Sequence, residues 1–416
     1  MTMLKSGSAR LLALALGSTL ALALATEGCQ SLFTPEPARQ YPLIRHTGPM
    51  PDFADDLDGE SLELAAQRSL EYLSIINPDT RFEFGQRTVT SPQMAASIRR
   101  LVEIVRYERN PKRRAVMIRH EFDVYKGAGE TEGGNVLITG YYQPEMNVRR
   151  QRDDTFRYPL YRIPDDLVRV DLGLFSSELE GKRISGMVED GKLLPYHDRR
   201  AIDAGGALAN RGLEIAWADD PFDVFILHIQ GSGVLRFEDG EERFANYASV
   251  NGHKYQSIGK MMIAEGKVPR EKMSMQALRQ WFRENPQELE RILFVNPSYV
   301  FFRVMDEGPF GSLGRILVDG RSAAFDHSLY PKGAMAWFTA DIPQARDGIP
   351  AGTRRAGRFV FNHDQGGAIK GPGRMDLFFG KGRDAEAAAG VMKNPGELYY
   401  LLLKEKYMEM AGKDTE

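Results

Sequence analysis

A segment near the end of the chain, residues 362–380, contains five glycines, four of which lie between Asp364 and Asp376, and a short apolar run follows Asp376. Glycine at this density lets a backbone approach a ligand closely. The segment lacks the Lys-Ser/Thr ending of a phosphate loop and the strand–loop–helix context of a dinucleotide site, which argues against nucleotide binding. Short strands with glycine and proline turns, which continue from about residue 310, are typical of a small β-barrel.

The two aspartates that flank these glycines each have two interpretations. If residues 374–379 form a strand, side-chain alternation places Asp376 on the same face as Arg374 and Phe378. Burial beside the ring would raise the pKa of Asp376, as general-acid catalysis requires, whereas Arg374 would lower it. The sequence does not decide between these effects, and an ordinary ion pair with Arg374 is the alternative. For Asp364 the alternative is an Asx-type turn onto the following glycines.

The N-terminus has the pattern of an export signal. Lys5 and Arg10 precede an apolar run over residues 11–25, which is shorter than the roughly 20 residues of a membrane-spanning helix. The only cysteine, Cys29, follows in Thr-Glu-Gly-Cys-Gln, which resembles a bacterial lipoprotein processing site apart from Glu27. We therefore predict that the signal is removed and that Cys29 is lipidated. A single cysteine excludes a disulfide framework within the chain.

The rest of the chain divides into a tether, helices and strands. Five prolines between residues 30 and 55 predict an extended tether that precedes the folded body. Apolar periodicity predicts helices over about 62–73 and from the Ser91-Pro92 pair toward Pro111. Further helices are predicted at about 257–264 and 274–285, and strands at 136–139 and 222–229, the latter buried on both faces because nearly every position is apolar.

Composition is that of an ordinary globular protein. The 416 residues carry a formal net charge of −3, with hydrophobic residues at 42% and charged residues at 27%, and the length suffices for two domains. The charges are mixed and form no basic stripe, so we predict no nucleic-acid partner. The seven histidines lack the spacing of a zinc protease, so we predict neither a metal nor a cofactor.

Three aspartates, Asp326, Asp364 and Asp376, lie in contexts that resemble the three-aspartate domain of the membrane-bound lytic murein transglycosylase A family. The run Asp-Gln-Gly-Gly-Ala-Ile-Lys-Gly, followed by Arg-Met-Asp-Leu-Phe, is long and contiguous, and Asp326 lies in Phe-Asp-His-Ser-Leu-Tyr-Pro-Lys-Gly. Upstream blocks carry the same resemblance over most of residues 135–400. These blocks are residues 139–144, 229–233, 247–248, 251–253, 257–260, 273–276 and 296–302.

The resemblance implies a fold and a set of site residues. The expected fold is β-rich α+β: a double-psi β-barrel with N-terminal helices and an inserted second β domain that resembles a barrel, separated by a substrate groove. The boundaries would be a signal peptide at 1–28, a tether at 29–55, the barrel at 56–145 and 307–416, and the insert at 146–306. Asp376 would be the catalytic acid, supported by Asp364 and Asp326. Substrate-binding residues would be Thr139, Tyr141, Tyr142, Gln230, Ser232, Gly367 and Lys370.

The function that the resemblance implies is lytic cleavage of peptidoglycan between N-acetylmuramic acid and N-acetylglucosamine, with 1,6-anhydro ends as product and a single aspartate acting as acid and then base. We expect a monomer that binds glycan strands, touches the membrane only through its lipid, and lies in the periplasm on the outer membrane. Proteins of cell-wall synthesis or division are possible partners. The alternatives are a hydrolase of another β-1,4 glycan and a non-catalytic lipoprotein that binds peptidoglycan.

Overall fold

The structure, a computed structural model, describes residues 41–129 and 134–408. The signal peptide and Cys29 lie outside these residues. The first part of the described chain contains β1 (Leu43–Arg45), α1 (Gly59–Ile75), β2 (Arg81–Phe84), β3 (Arg87–Thr90), α2 (Ser91–Tyr107), α3 (Pro111–Glu121), β4 (Phe122–Gly127) and β5 (Val136–Gln143).

The middle part contains β6 (Glu145–Arg149), β7 (Tyr158–Tyr161), β8 (Val168–Asp171), β9 (Arg183–Glu189), β10 (Lys192–Pro195), α4 (Arg199–Asp203), β11 (Glu214–Ala218), α5 (Pro221–Gln230), β12 (Ser232–Phe237), β13 (Glu242–Val250), α6 (Ile258–Ala264), α7 (Met275–Glu284), α8 (Leu289–Leu293) and β14 (Val300–Met305). The last part contains β15 (Ser322–Ala324), β16 (Met335–Arg346), β17 (Ile349–Asp364), β18 (Arg374–Lys381), α9 (Arg383–Val391) and β19 (Lys393–Leu403). Short 3-10 helices lie at Leu172–Leu174, Ser177–Leu179, Arg270–Lys272 and Pro286–Glu288.

Strands from the two ends of the chain form a closed barrel. The pairing order is β19-β16-β17-β15-β18-β5, and β5 pairs again with β19, which closes a ring of six strands. β4 and β1 extend the sheet outward from β19. Aromatic and aliphatic side chains such as Phe338, Phe359 and Leu402 have no exposed surface and belong to the core that the barrel shares with the N-terminal helices. The prediction of a β-rich chain that contains a small barrel is therefore confirmed.

A second sheet is built from the chain between β5 and β15. It has six strands in the order β14-β13-β12-β6-β11-β7, and α5 packs against it through Val224 and Leu227. A separate three-stranded sheet, β10-β9-β8, is formed by the stretch that precedes α4. Since β6 begins two residues after β5 ends, the chain passes directly from the barrel into this second sheet.

The N-terminal helices form where apolar periodicity predicted them. α1 begins after Asp58, whose carboxylate accepts a hydrogen bond from the backbone N–H of Ser61. α2 begins after its N-cap Thr90, whose backbone N–H donates to the side-chain oxygen of Gln93 at 2.9 Å. The buried faces of both helices belong to the same core as the barrel.

The prediction of a strand at 222–229 is wrong, because these residues form α5. The segment is apolar at nearly every position because several surfaces cover the helix, and a helix buried all round has no polar face to reveal its period. Its end signals were present. Asp220 caps the N-terminus, Pro221 occupies the first turn, and Gly231 ends the helix with a φ of 78°.

The predicted tether is wrong for residues 42–55, which belong to the folded body. β1 pairs with β4, Phe53 has no exposed surface, and Asp55 forms a buried ion pair with Arg321 at 2.9 Å. Prolines suggested an extended chain, and part of this segment is extended, but it packs on the barrel. Within residues 41–129 and 134–408, none of the helices has the length and hydropathy that crossing a bilayer requires.

Candidate active site

The two aspartates that flank the glycine segment end up on neighbouring parts of the barrel. Asp364 is the last residue of β17, Asp376 lies in β18, and β15 runs between these strands. Ala324 of β15 is paired in register with both aspartates. On the far side of β18, Asp376 is in register with Thr139 of β5. Two strand spacings place the acid backbones about 10 Å apart.

Asp376 is held by a hydrogen bond from the neighbouring strand. The hydroxyl of Thr139 donates to Oδ1 of Asp376 at 2.6 Å, and Arg374 donates to that hydroxyl oxygen at 3.4 Å. Arg374 thus contacts the hydroxyl that holds Asp376 and lies close enough for its charge to act on the carboxyl. Burial raises the pKa of Asp376 to about 6, because it outweighs the opposing effects of the Thr139 hydrogen bond and the Arg374 charge.

Asp364 is fixed by donors from three parts of the chain. Its Oδ1 accepts from the backbone N–H groups of Ser312 and Gln365, both at 2.9 Å, and its Oδ2 accepts from the hydroxyl of Tyr141 at 3.2 Å. The bond to Gln365 is local but does not involve the glycines that an Asx-type turn was expected to engage, and the other two bonds join distant segments. Burial raises the pKa of Asp364 to about 6 despite these bonds, and its charge also raises the pKa of Asp376.

Asp326 lies just beyond β15 and binds the far end of the glycine segment. Its Oδ2 accepts from the backbone N–H of Gly371 at 3.0 Å, and its Oδ1 accepts from the hydroxyl of Ser328 at 2.7 Å. Lys370 lies 3.8 Å from the same carboxylate. Burial raises the pKa of Asp326, but these donors together outweigh it and the pKa is lowered overall. Asp326 thus holds the loop between β17 and β18.

Ser312 is a site residue that the sequence did not reveal. Its contribution is a backbone N–H, which any residue type supplies, so no side-chain signal marks it. The loop can approach because its neighbour is glycine: a Cβ at Gly311 would stand 2.5 Å from the carbonyl oxygen of His363. Residues 310–314 lie near the aspartates because this segment leads the chain from β14 of the second sheet back to β15 of the barrel.

The two adjacent tyrosines that were predicted to bind substrate lie in different environments. Tyr141 reaches Asp364 with its hydroxyl, and its ring lies 5.1 Å from that of Phe378. Tyr142 is 4% exposed and packs in a core cluster with Phe222 and Phe282. Tyr142, which was also predicted to bind substrate, faces the helices, because successive side chains of a strand point to opposite faces.

The remaining predicted binding residues lie at two places. Gln230 ends α5, and its side-chain oxygen accepts from the backbone N–H of Tyr142 at 3.1 Å, so it joins the helix to β5. Ser232 follows at the start of β12 and is buried. Gly367 and Lys370 lie on the loop between β17 and β18, and both are exposed.

The histidines are structural in their contacts. His228 lies in α5 rather than in a strand, and its Nδ1 is 2.9 Å from Arg199. His363 precedes Asp364 and lies between the hydroxyls of Ser69 and Ser322, at 2.9 and 2.8 Å. His327 contacts the side-chain oxygen of Asn362 at 2.8 Å. Among the residues that the structure describes, no group of three or more His, Cys, Asp or Glu is arranged to hold a metal ion.

Two family profiles match the chain in the regions that form this site. The profile described as the MltA specific insert domain matches residues 137–303, and the profile described as the 3D domain matches residues 321–402. The first begins within β5 and ends within β14, and the second spans β15 to β19. The three aspartates all lie in the second region.

Comparison with known proteins agrees with these profiles. The membrane-bound lytic murein transglycosylase A of Vibrio cholerae is 36% identical over 67% of this chain and 68% of its own length, and that of Escherichia coli K12 is 33% identical over 67% and 69%. A membrane-bound lytic murein transglycosylase from Agrobacterium tumefaciens matches with a TM-score of 0.72 at 28% identity, covering 89% of this chain and 100% of its own.

The E. coli MltA structure with bound chitohexaose matches with a TM-score of 0.67 at 27% identity, over 88% of this chain and 96% of its own. The profiles, the sequence relatives and the solved structures thus point to one family. The chain belongs to the membrane-bound lytic murein transglycosylase A family of enzymes.

Proposed function

We propose that this enzyme cleaves the bond between N-acetylmuramic acid and N-acetylglucosamine in peptidoglycan without water, leaving a 1,6-anhydro end. The observation that carries the proposal is the carboxyl of Asp376, whose pKa is raised to about 6 by burial beside the Thr139 hydroxyl. Such an acid retains a proton at mildly acidic pH and also gives a usable base once it has lost it. Both states are needed in one reaction cycle.

The reaction uses one proton twice. Asp376 donates it to the glycosidic oxygen, the bond from that oxygen to C1 of N-acetylmuramic acid breaks, and the N-acetylglucosamine end leaves as an alcohol. The C6 hydroxyl of the same muramic residue then forms a bond to C1 and returns its proton to the carboxylate. Because nucleophile and reacting carbon belong to one sugar, positioning supplies much of the rate. An ionised Asp364 would favour the positive charge that develops at C1.

The substrate would lie in a groove between the six-stranded ring and the second sheet. Tyr141 on β5 offers an aromatic face next to the acids, and the exposed Gly367 and Lys370 lie on the loop that follows Asp364. The related E. coli structure carries chitohexaose, an oligosaccharide, which supports a glycan ligand here. The domain division at residues 145 and 307 and the double-psi arrangement of the ring belong to the same proposal.

The location proposed is the periplasm, with Cys29 lipidated and inserted in the outer membrane after removal of residues 1–28. The relatives are named membrane-bound, and the sequence Thr-Glu-Gly-Cys-Gln follows an apolar run. Peptidoglycan strands are the proposed binding partner of a monomeric enzyme, and proteins of cell-wall synthesis or division are candidates for further contacts.

Mass spectrometry of the fragments that the purified protein releases from sacculi tests the activity. We expect anhydro-muramic ends, 18 Da lighter than the reducing ends that a hydrolase leaves, since no water is added. Asp376→Asn is the matched variant and should release almost nothing while still binding sacculi. Reducing ends would instead favour a β-1,4 glycan hydrolase, and unchanged release by the variant would exclude Asp376 as the acid.

A further inference from the structure

A second concave site lies away from the three aspartates, where α7, α9 and the turn between β16 and β17 meet. It is a cavity of about 480 Å³ lined by Gln276, Arg279, Arg283, Gly348, Arg383 and Glu386 among others. We call it the arginine pocket. Three guanidinium groups and one carboxylate line it, so the lining carries an excess of positive charge.

The three arginines differ in how they are paired. Arg279 lies 2.6 Å from Asp223 and 3.8 Å from Glu386, so its charge is compensated. Arg283 and Arg383 are exposed, and neither makes an ion pair within 4.0 Å with any residue of the described ranges. Two guanidinium groups that face one concavity repel each other unless an anion lies between them. The planar guanidinium suits an oxyanion because it donates two parallel hydrogen bonds.

Two further features mark the pocket as built for a polar ligand. The side-chain oxygen of Gln276, a pocket residue, is buried without a hydrogen-bond partner among the described residues. The turn that forms one wall is held in place, since the backbone N–H of Gly348 donates to Oδ1 of Asp384 at 2.6 Å. As an acceptor, this oxygen needs an N–H or O–H donor from a ligand or a water, so it favours a polar ligand that carries donors, such as a peptide, and is not itself a contact for the oxyanion.

We propose that the arginine pocket binds an oxyanion, and that in the peptidoglycan substrate this group is a carboxylate of the peptide stem. The inference rests on the proposed function for the identity of its ligand. Asp376 lies on β18 and Arg383 begins α9 seven residues later, so their Cα atoms are at most about 23 Å apart. A stem of about five residues spans up to about 17 Å when extended, so its length is comparable with this separation.

The direct test measures binding of a free stem peptide, with inorganic phosphate as a second probe, to the full protein by calorimetry. Arg283→Gln/Arg383→Gln should weaken stem-peptide binding about tenfold or more, because each lost charge-assisted pair is worth at least several-fold in affinity. The control is Arg81→Gln/Arg109→Gln, which removes the same charge from two exposed arginines of the N-terminal region and should change nothing. Phosphate binding without stem-peptide binding would overturn the assignment to peptidoglycan stems.

A second measurement compares digestion of peptide-bearing glycan strands with strands stripped of their stems by an amidase. The wild type should prefer the peptide-bearing strands, and the double variant should lose that preference while it cleaves stripped strands at the wild-type rate. If both proteins release anhydro ends with the same preference, the pocket proposal fails and the proposed function stands. If neither releases anhydro ends, the proposed function itself fails, and the calorimetry alone decides on the pocket.

Discussion

The two sides of the glycine loop contain the same residue type in two environments. On one side, Asp364 and Asp376 lie half-buried in the barrel wall, and desolvation, which outweighs their hydrogen-bond donors, raises the pKa of each to about 6. On the other side, Asp326 accepts from Gly371 and Ser328, and its pKa is lowered. The difference shows that the balance of burial against hydrogen-bond donors, rather than the aspartate itself, separates a group suited to proton transfer from one that anchors a loop.

The largest expected effect is on catalysis. Asp376→Asn should lower the rate of sacculus digestion by about 10³-fold or more, because the amide cannot donate the proton that cleavage needs. The assay is release of soluble fragments at pH 5 to 7, with Asp341→Asn on the exposed edge of β16 as control. If the variant retained a tenth of the activity, Asp376 could no longer be distinguished from the other aspartates as the acid that cleavage needs.

The same substitution should stabilise the fold at neutral pH. The pKa of Asp376 in the folded state, about 6, exceeds its ordinary value of 3.8, so the ionised carboxylate destabilises the protein progressively as pH rises from about 4 to 6. The cost is of the order of 3 kcal/mol at most. Asp376→Asn should therefore raise the melting temperature at pH 7 and leave it unchanged near pH 4. A lower melting temperature of the variant at pH 7 would show that the ionised carboxylate does not destabilise the fold.

Asp326→Ala should have the opposite sign. The substitution leaves the N–H of Gly371 and the hydroxyl of Ser328 without their acceptor, which costs about 1–3 kcal/mol at pH 7. Because the pKa is lowered, the contribution of the carboxylate exists above about pH 4 and disappears as the pH falls below it. Denaturant unfolding of wild type and variant at pH 7 and pH 3 measures this contribution to the free energy of unfolding. An equal loss of stability at both pH values would contradict the prediction. The pH at which activity falls should not move.

Thr139→Val addresses the balance at Asp376 directly. The Thr139 hydroxyl stabilises the ionised carboxylate, so its loss should raise the pKa of Asp376 further by about one unit. Activity that needs the protonated acid declines as pH rises through that pKa, and the decline should move to higher pH in the variant. Thr139→Ser, which keeps the hydroxyl, is the control and should restore the wild-type profile.

The smallest effect is expected for Tyr141→Phe. It removes one of three donors to Asp364, and burial already holds that pKa high, so the change should be a few-fold in rate. The ring that packs near Phe378 is retained. A loss as large as that of Asp376→Asn would mean that the tyrosine hydroxyl itself acts on the substrate. Initial rates of fragment release from the same sacculi are sufficient to measure this.

The fold could be predicted from the sequence where a local pattern determines structure. Three features could be predicted because each depends on residues that are neighbours along the chain. They are the helical period of α1 and α2, the strand that begins at Val136 and the side-chain alternation around Asp376. The helical state of α5 could not be predicted, because burial of most of its positions removes the apolar period, and the burial of Tyr142 depends on helices more than 70 residues away. The contribution of Ser312 was invisible because a backbone N–H has no residue signature.

The three residues of β15 have a consequence for how this site can vary. They separate the strands that carry Asp364 and Asp376, with Ala324 in register with both, and the ring in which they sit is closed. Loops can lengthen or shorten without altering the distance between the two acid-bearing strands, because that distance is a property of strand order. A related protein could therefore have a different loop at every connection around the barrel and still hold its two acids at the same distance.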